Sequence, residues 1–124
     1  SMERGAAMHA SLAAGRPVEI EELPTLADSL GGGIGLKNRY TFQMVRDLVD
    51  DVVLLTEDEI AAGIRHLSVE EDEMVEGAAA VGAAAILAGR LRAVDGPLVL
   101  ILSGQNIDPA RHAAIVRGAA CPTS

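Results

Sequence analysis

The chain reads as α/β, a partial parallel sheet flanked by helices. Segments of helical period alternate with short apolar runs that show no alternation of their own, the pattern of strands covered on both faces. The clearest of these runs is Leu98-Val99-Leu100-Ile101-Leu102. It gives way to the small residues Ser103 and Gly104, and Asp108-Pro109 then provides an N-cap and a proline at the first helical position. A strand, a tight turn and a helix start build a crevice at the carboxyl edge of a sheet, where open α/β folds bind ligands. The same residues also suit a plain strand-to-helix turn with no ligand.

The elements before that run follow from local signals. Residues 5–14 are alanine-rich, with Met8 and Leu12 four apart, and Gly15 stops the helix ahead of Pro17. Residues 18–23 alternate between apolar and acidic and then meet Pro24, which fits an edge strand or an extended linker. Residues 25–30 lead into Gly31-Gly32-Gly33-Ile34-Gly35, the most flexible stretch of the chain. Helix resumes at Thr41, where Phe42, Val45, Leu48 and Val49 form one apolar stripe. Asp51 opens a second buried strand, Val52-Val53-Leu54-Leu55. Thr56 and Glu59 form a capping box, so a helix starts at Glu57 and turns Ile60, Ile64 and Leu67 inward. After the acidic run at 70–73, a helix from about Met74 to Leu91 is apolar nearly all round, which places it in the interior. Asp95-Gly96 turns the chain into the final strand, and residues 110–117 make the closing helix. Two strands do not form a stable sheet by themselves. The domain therefore either dimerises or belongs to a larger sheet.

Bulk properties narrow the possible roles. A chain of 124 residues supports a single core. With 49% hydrophobic residues but only 2% aromatics, that core is made of Ala, Val, Leu and Ile. A net charge of −8 argues against a nucleic-acid partner and against an anionic membrane surface. One cysteine, Cys121, cannot close an internal disulfide and fits a reducing, cytoplasmic setting. The N-terminus lacks the basic region and apolar run of a signal peptide. The apolar stretch at 75–91 is interrupted by Glu76 and Arg90 and is too short to span a bilayer.

Most familiar motifs fail on spacing. The glycine cluster is not a phosphate loop, because Lys37 lies between Leu36 and Asn38 instead of following the last glycine ahead of a Ser or Thr. It is not a dinucleotide fingerprint either, since Leu36 stands three after Gly33. His9, His66 and His112 fall on separate helices without ligand spacing, so no metal site is expected. The acidic pairs and runs read as solvated faces and helix-end charges. Glu76 stands out as the acid that opens an apolar helix. Its carboxylate is buried with a partner, pointed into a cavity, or a partner of the helix dipole.

Five segments in order resemble the threonine/serine dehydratases, fold-type II pyridoxal-phosphate enzymes. They are Thr25-Leu26-Ala27-Asp28-Ser29; Tyr40-Thr41-Phe42 through Leu48 to Val53; Glu57-Asp58-Glu59-Ile60; Val75-Glu76-Gly77-Ala78-Ala79-Ala80; and Leu102-Ser103-Gly104-Gln105-Asn106-Ile107-Asp108. The stretch from Ala27 to Gly35 most resembles the hydroxyectoine-utilisation branch. The resemblance implies the C-terminal part of the large domain of a tryptophan synthase β-like fold, with Ser1 just after a core strand. It implies pyridoxal 5'-phosphate as cofactor and a small hydroxy amino acid as substrate, lost by β-elimination to a 2-oxo acid and ammonia. A homo-oligomer, in the form of a dimer, is the expected assembly.

By the same resemblance the cofactor-binding residues are Ser103, Glu76, Ser29 and Gly104. Ser103 donates to the pyridine nitrogen and Glu76 lies beside the ring. Ser29 takes the place of a family glycine near ring and substrate, so the substrate pocket differs there. The family's Schiff-base lysine and phosphate-binding glycine loop lie upstream, and Lys37, the single lysine, matches neither. Ser1, Gly5 and Ala7 stand where some relatives hold a divalent cation, and none carries a carboxylate. These residues alone are therefore expected to be inactive. Two competing readings are a non-catalytic acidic α/β domain that pairs with itself or a partner, and a small-molecule regulatory module, for which no motif is present.

Overall fold

The computed structural model describes residues 1–91 and 95–118; Cys121 lies outside the described residues. Among them the chain forms α1 (Ala7–Ala14), a 3-10 turn (Asp28–Leu30), α2 (Thr41–Leu48), α3 (Glu57–Glu70), α4 (Gly77–Leu87) and α5 (Pro109–Val116). α1 ends as its sequence predicts. Gly15 takes a left-handed φ of 69°, and its N–H and that of Arg16 close onto the carbonyls of Leu12 and Ser11.

The core is a tight pairing of α3 with α4, with α5 laid against α3. The capping box forms as expected: Thr56 Oγ1 accepts the Glu59 N–H at 3.2 Å, and Glu59 Oε2 accepts the Thr56 N–H at 2.8 Å. From that start, Ile60, Ile64 and Leu67 fall on the buried face. The facing surface of α4 is almost entirely alanine and glycine, so the two backbones come close. A Cβ on Gly63 would sit 2.8 Å from the Ala84 Cβ and 2.9 Å from the Ala80 carbonyl oxygen. Met2, Leu26, Ala27, Leu55, Val75 and Ile115 complete the cluster.

α4 is shorter than the apolar pattern predicts. Asp72 adopts φ 55° and the Glu73 N–H returns to the Leu67 carbonyl, which closes α3. Glu76 is then the extended N-cap of α4. Its N–H is directed at the Gly104 carbonyl, 3.2 Å away, so the approach to α4 is tied to the final turn and does not extend the helix backwards. α2 also buries less than its stripe suggests. Phe42 is buried, whereas Leu48 is 74% exposed and Val49 already has extended backbone. Asn38, ahead of this helix, braces its start: its Oδ1 accepts the Phe42 N–H at 2.9 Å, and its Nδ2 donates to the Ile34 carbonyl at 2.8 Å, fastening the glycine-rich stretch to α2.

No multi-residue strand forms among the described residues. Val53–Leu55 pairs with the first residues through one parallel bridge, Met2 to Leu55, with the Glu3 N–H on the Leu55 carbonyl and the Leu55 N–H on the Ser1 carbonyl, both at 2.8 Å. The run 98–102 is not covered on both faces as its composition predicts. Leu100 packs onto Gly82 of α4, while Val99 and Ile101 face away, 81% and 82% exposed. The alternation belongs to an extended chain with one face against a helix and, among the described residues, no neighbouring strand beside it. Residues 18–23 likewise have no ladder among the described residues.

Candidate functional site

The site is assembled around the first residues of α4. The Glu76 carbonyl accepts the Ala79 and Ala80 N–H groups at 3.1 Å and so starts the helix. Its side chain does not cap α4, and the residue is only 8% exposed. It reaches instead into the turn that follows residues 98–102, where Oε2 accepts the Asn106 N–H at 3.1 Å. Backbone and side chain of Glu76 therefore grip one turn twice, as donor to the Gly104 carbonyl and as acceptor from Asn106. Gly104 makes the grip possible, since a Cβ there would lie 2.7 Å from Glu76 Oε1. Of the open alternatives for Glu76, the structure selects burial with a backbone partner.

Ser103 precedes Gly104 at the outer lip of this turn and is exposed; among the described residues nothing hydrogen-bonds its hydroxyl. Beyond the turn, Asp108 Oδ1 accepts the Arg111 N–H at 2.8 Å and Pro109 opens α5, as the sequence predicts. The turn is thus held at both ends, by Glu76 behind it and by the cap of α5 ahead.

The segment 25–30 approaches from the other side. Gly77, the first residue of α4, admits it: a Cβ at that position would collide with the Leu26 carbonyl oxygen and fall 3.0 Å from the Ala27 nitrogen. The 3-10 turn that carries Ser29 packs on α4. Ser29 is exposed, its N–H donating to Asp28 Oδ1 at 2.9 Å, and no hydrogen bond joins it to Glu76 or Ser103 among the described residues. The structure brings Glu76 and Gly104 into contact, with Ser103 adjoining, and leaves Ser29 on a neighbouring wall.

Three contributors escape sequence reasoning. Asn106 supplies the N–H that fixes Glu76. Glu57, at the start of α3, accepts the Thr25 hydroxyl on Oε1 and the Leu26 N–H on Oε2, each at 2.6 Å. Thr25 Oγ1 in turn accepts the Ala27 N–H at 3.1 Å. An acid at a helix start reads as a dipole partner, and nothing local reveals a partner 31 residues away.

A cleft of about 410 Å³ opens beside the 25–30 segment, lined by Glu22, Thr25, Asp28, Gly32 and Arg111 among others. Another, of about 400 Å³, lies between α3, α4 and the run 98–102 and holds none of the expected site residues. His9, His66 and His112 stand on α1, α3 and α5, and among the described residues no His, Cys, Asp and Glu cluster is placed to hold a metal. Among the same residues no helix is long and apolar enough to cross a membrane. The Glu59 carboxyl is held below its usual range, first by the Thr56 N–H it accepts and further by Arg90 at 2.8 Å. That group belongs to the start of α3, away from the Ser103 turn.

Residues 1–104 match the family profile described as pyridoxal-phosphate dependent enzyme. A Sinorhizobium fredii protein with a provisional threonine dehydratase name is 56% identical over 118 residues, covering 95% of this chain and 36% of that protein. The L-threonine ammonia-lyase of Geobacter sulfurreducens is 43% identical over 110 residues, covering 87% of this chain and 26% of the enzyme. Among solved structures, the processed form of threonine deaminase isoform 2 from Solanum lycopersicum superimposes with a TM-score of 0.77 at 27% identity, over 97% of this chain and 35% of that one. The chain thus spans about a quarter to a third of the length of the relatives it matches.

Proposed function

Because this chain belongs to the pyridoxal-phosphate dependent enzyme family, we propose that it is the C-terminal part of a lyase that deaminates a small hydroxy amino acid of the threonine or serine type. The observation that carries the reading is the match over residues 1–104 together with relatives named for threonine deamination. The local chemistry agrees with it. Ser103 presents a hydroxyl with no internal partner among the described residues at the lip of a turn, and the buried Glu76 carboxylate is fixed directly behind that turn. A neutral donor and a backbone-held carboxylate suit a heteroaromatic ring that carries an acceptor nitrogen.

When bound, pyridoxal phosphate supplies the electron sink that acidifies the amino acid's α-proton and lets the β-hydroxyl leave. In this assignment Ser103 donates its O–H to the pyridine nitrogen. An alcohol leaves that nitrogen largely unprotonated, which moderates the sink and favours elimination. Glu76 and Gly104 form the wall beside the ring, and Ser29 faces the substrate side. The Schiff-base lysine is contributed from outside this chain, so these residues by themselves do not catalyse. The finer assignment to hydroxyectoine utilisation is supported by the residue order from Ala27 to Gly35. The assembly proposed is a homodimer in the cytoplasm.

The test is spectrophotometric titration of the full-length polypeptide with pyridoxal phosphate, followed by 2-oxo acid release from L-threonine and L-serine. The expected result is a visible absorbance band and ammonia-lyase turnover, with Ser103→Asp shifting the band and depressing turnover. A full-length protein that stays colourless with saturating cofactor refutes the assignment.

A further inference from the structure

We infer that Glu57 is a positioning residue, which through Thr25 and the Leu26 N–H sets where the Ser29-bearing segment stands against the Glu76–Ser103 wall. The inference rests on the site proposed above. Segment 25–30 has no regular secondary structure beyond its 3-10 turn, and it enters after Pro24 and leaves into the glycine-rich stretch. Its position is therefore set by what grips it from the sides. On one side Gly77 admits its backbone to a contact no other residue would allow. On the other, both oxygens of Glu57 are engaged, one by the Thr25 hydroxyl and one by the Leu26 N–H, each at 2.6 Å.

The charge-assisted bonds are short, and the accepting carboxylate sits at the start of α3, where the helix dipole attracts negative charge. Thr25 passes the constraint on, because its oxygen also accepts the Ala27 N–H. Three successive residues are thus fixed from one carboxylate, immediately before the turn that carries Ser29. An amide at position 57 could still accept the Leu26 N–H on its oxygen and donate to Thr25 Oγ1, but it would lose the negative charge that strengthens both contacts.

The experiment uses the full-length polypeptide with Glu57→Gln, Thr25→Val, their double variant, and Thr25→Ser. Cofactor affinity is read from absorbance, KM and kcat are measured with L-threonine and L-serine, and tryptic cleavage is followed at the exposed Lys37 and Arg39. Each of the first two variants is expected to raise KM about tenfold, through lost charge assistance in Glu57→Gln and a lost charge-assisted hydrogen bond in Thr25→Val, with cofactor affinity within about twofold of wild type. The double variant is expected to fall short of the product of the two single effects, because the Thr25–Glu57 contact is common to both. Thr25→Ser keeps the hydroxyl and is expected to retain the wild-type KM, while trypsin cuts the Glu57→Gln protein faster.

Unchanged KM in both single variants overturns the inference, as does a parallel fall in cofactor affinity and kcat, the mark of a merely structural role. If Glu57→Gln fails to fold, Thr25→Val, which leaves the acid of α3 in place, decides the matter by the same readouts. A colourless wild type overturns the site assignment and this inference together. An active wild type with indifferent variants overturns this inference alone.

Discussion

Gly77→Ala sets helix propensity against packing at a position where the two differ in sign. Gly77 is the first residue of α4, and alanine in a helix is worth up to about 1 kcal/mol over glycine. Against that, the new methyl would collide with the Leu26 carbonyl oxygen and meet the Leu26 carbonyl carbon at 2.5 Å and the Ala27 nitrogen at 3.0 Å. All three are backbone atoms, so no side chain can turn aside. Leu26 and Ala27 are buried, and Glu57 holds the Leu26 N–H at 2.6 Å, so the segment cannot withdraw without breaking that bond. Overpacking costs about 1–3 kcal/mol and loss of a hydrogen bond to a charged group about 1.5–3 kcal/mol, which leaves a net destabilisation of about 3 kcal/mol after the propensity gain. Urea unfolding of wild type and variant in full-length protein measures it through the shift in midpoint at constant slope. A neutral or stabilised Gly77→Ala would show that propensity alone governs the site and that the close approach of segment 25–30 to α4 is wrong.

Gly63→Ala poses the same conflict at the α3–α4 crossing, where the methyl would meet the Ala84 Cβ at 2.8 Å and the Ala80 carbonyl at 2.9 Å. The helices must part, and a loss of about 1–3 kcal/mol is expected in the same unfolding assay. Acid unfolding provides a further check. The Glu59 carboxyl is held below its usual range, so it takes up its proton more readily in the unfolded chain; its contribution is fully present above the ordinary carboxylate pKa and is lost as pH falls through the lowered value. Glu59→Gln is therefore expected to flatten the acid limb of a stability–pH profile, and an unchanged acid slope would contradict the capping-box geometry.

How much of this is readable in the residues depends on how local each signal is. The capping box at Thr56 and Glu59, the Gly15 terminator and the Asp108-Pro109 start each involve neighbours within one turn, and each appears as predicted. The start of α4 is displaced from Met74 to Gly77 because the Glu76 N–H bonds to Gly104, a partner remote in sequence. The parallel sheet fails to appear among the described residues for a related reason. Composition reports that Leu98–Leu102 can be a strand, but a ladder needs a second chain segment alongside, and among those residues only Met2 with Leu55 meets that condition. At the site, the singular position of Glu76 is legible as an acid in an apolar run. Its engagement by Asn106, and the service of Glu57 to Thr25 and Leu26, depend on contacts that no window of sequence contains.

α4 has almost no side chain beyond Cβ on its buried surface: Gly77, Ala78, Ala79, Ala80, Ala83, Ala84 and Ala85 all lie inside. Such a surface has no rotamers to exchange, so it freezes no side-chain entropy when it docks. It also cannot adapt to a neighbour by repacking. Glu76 is consequently carried on a smooth rod whose height is fixed by backbone-to-backbone stops at Gly63 and Gly77. Heating or mutation elsewhere in the core can loosen the bulky residues of α3 while those stops still hold the carboxylate's station. Any added volume on the rod itself moves that station directly.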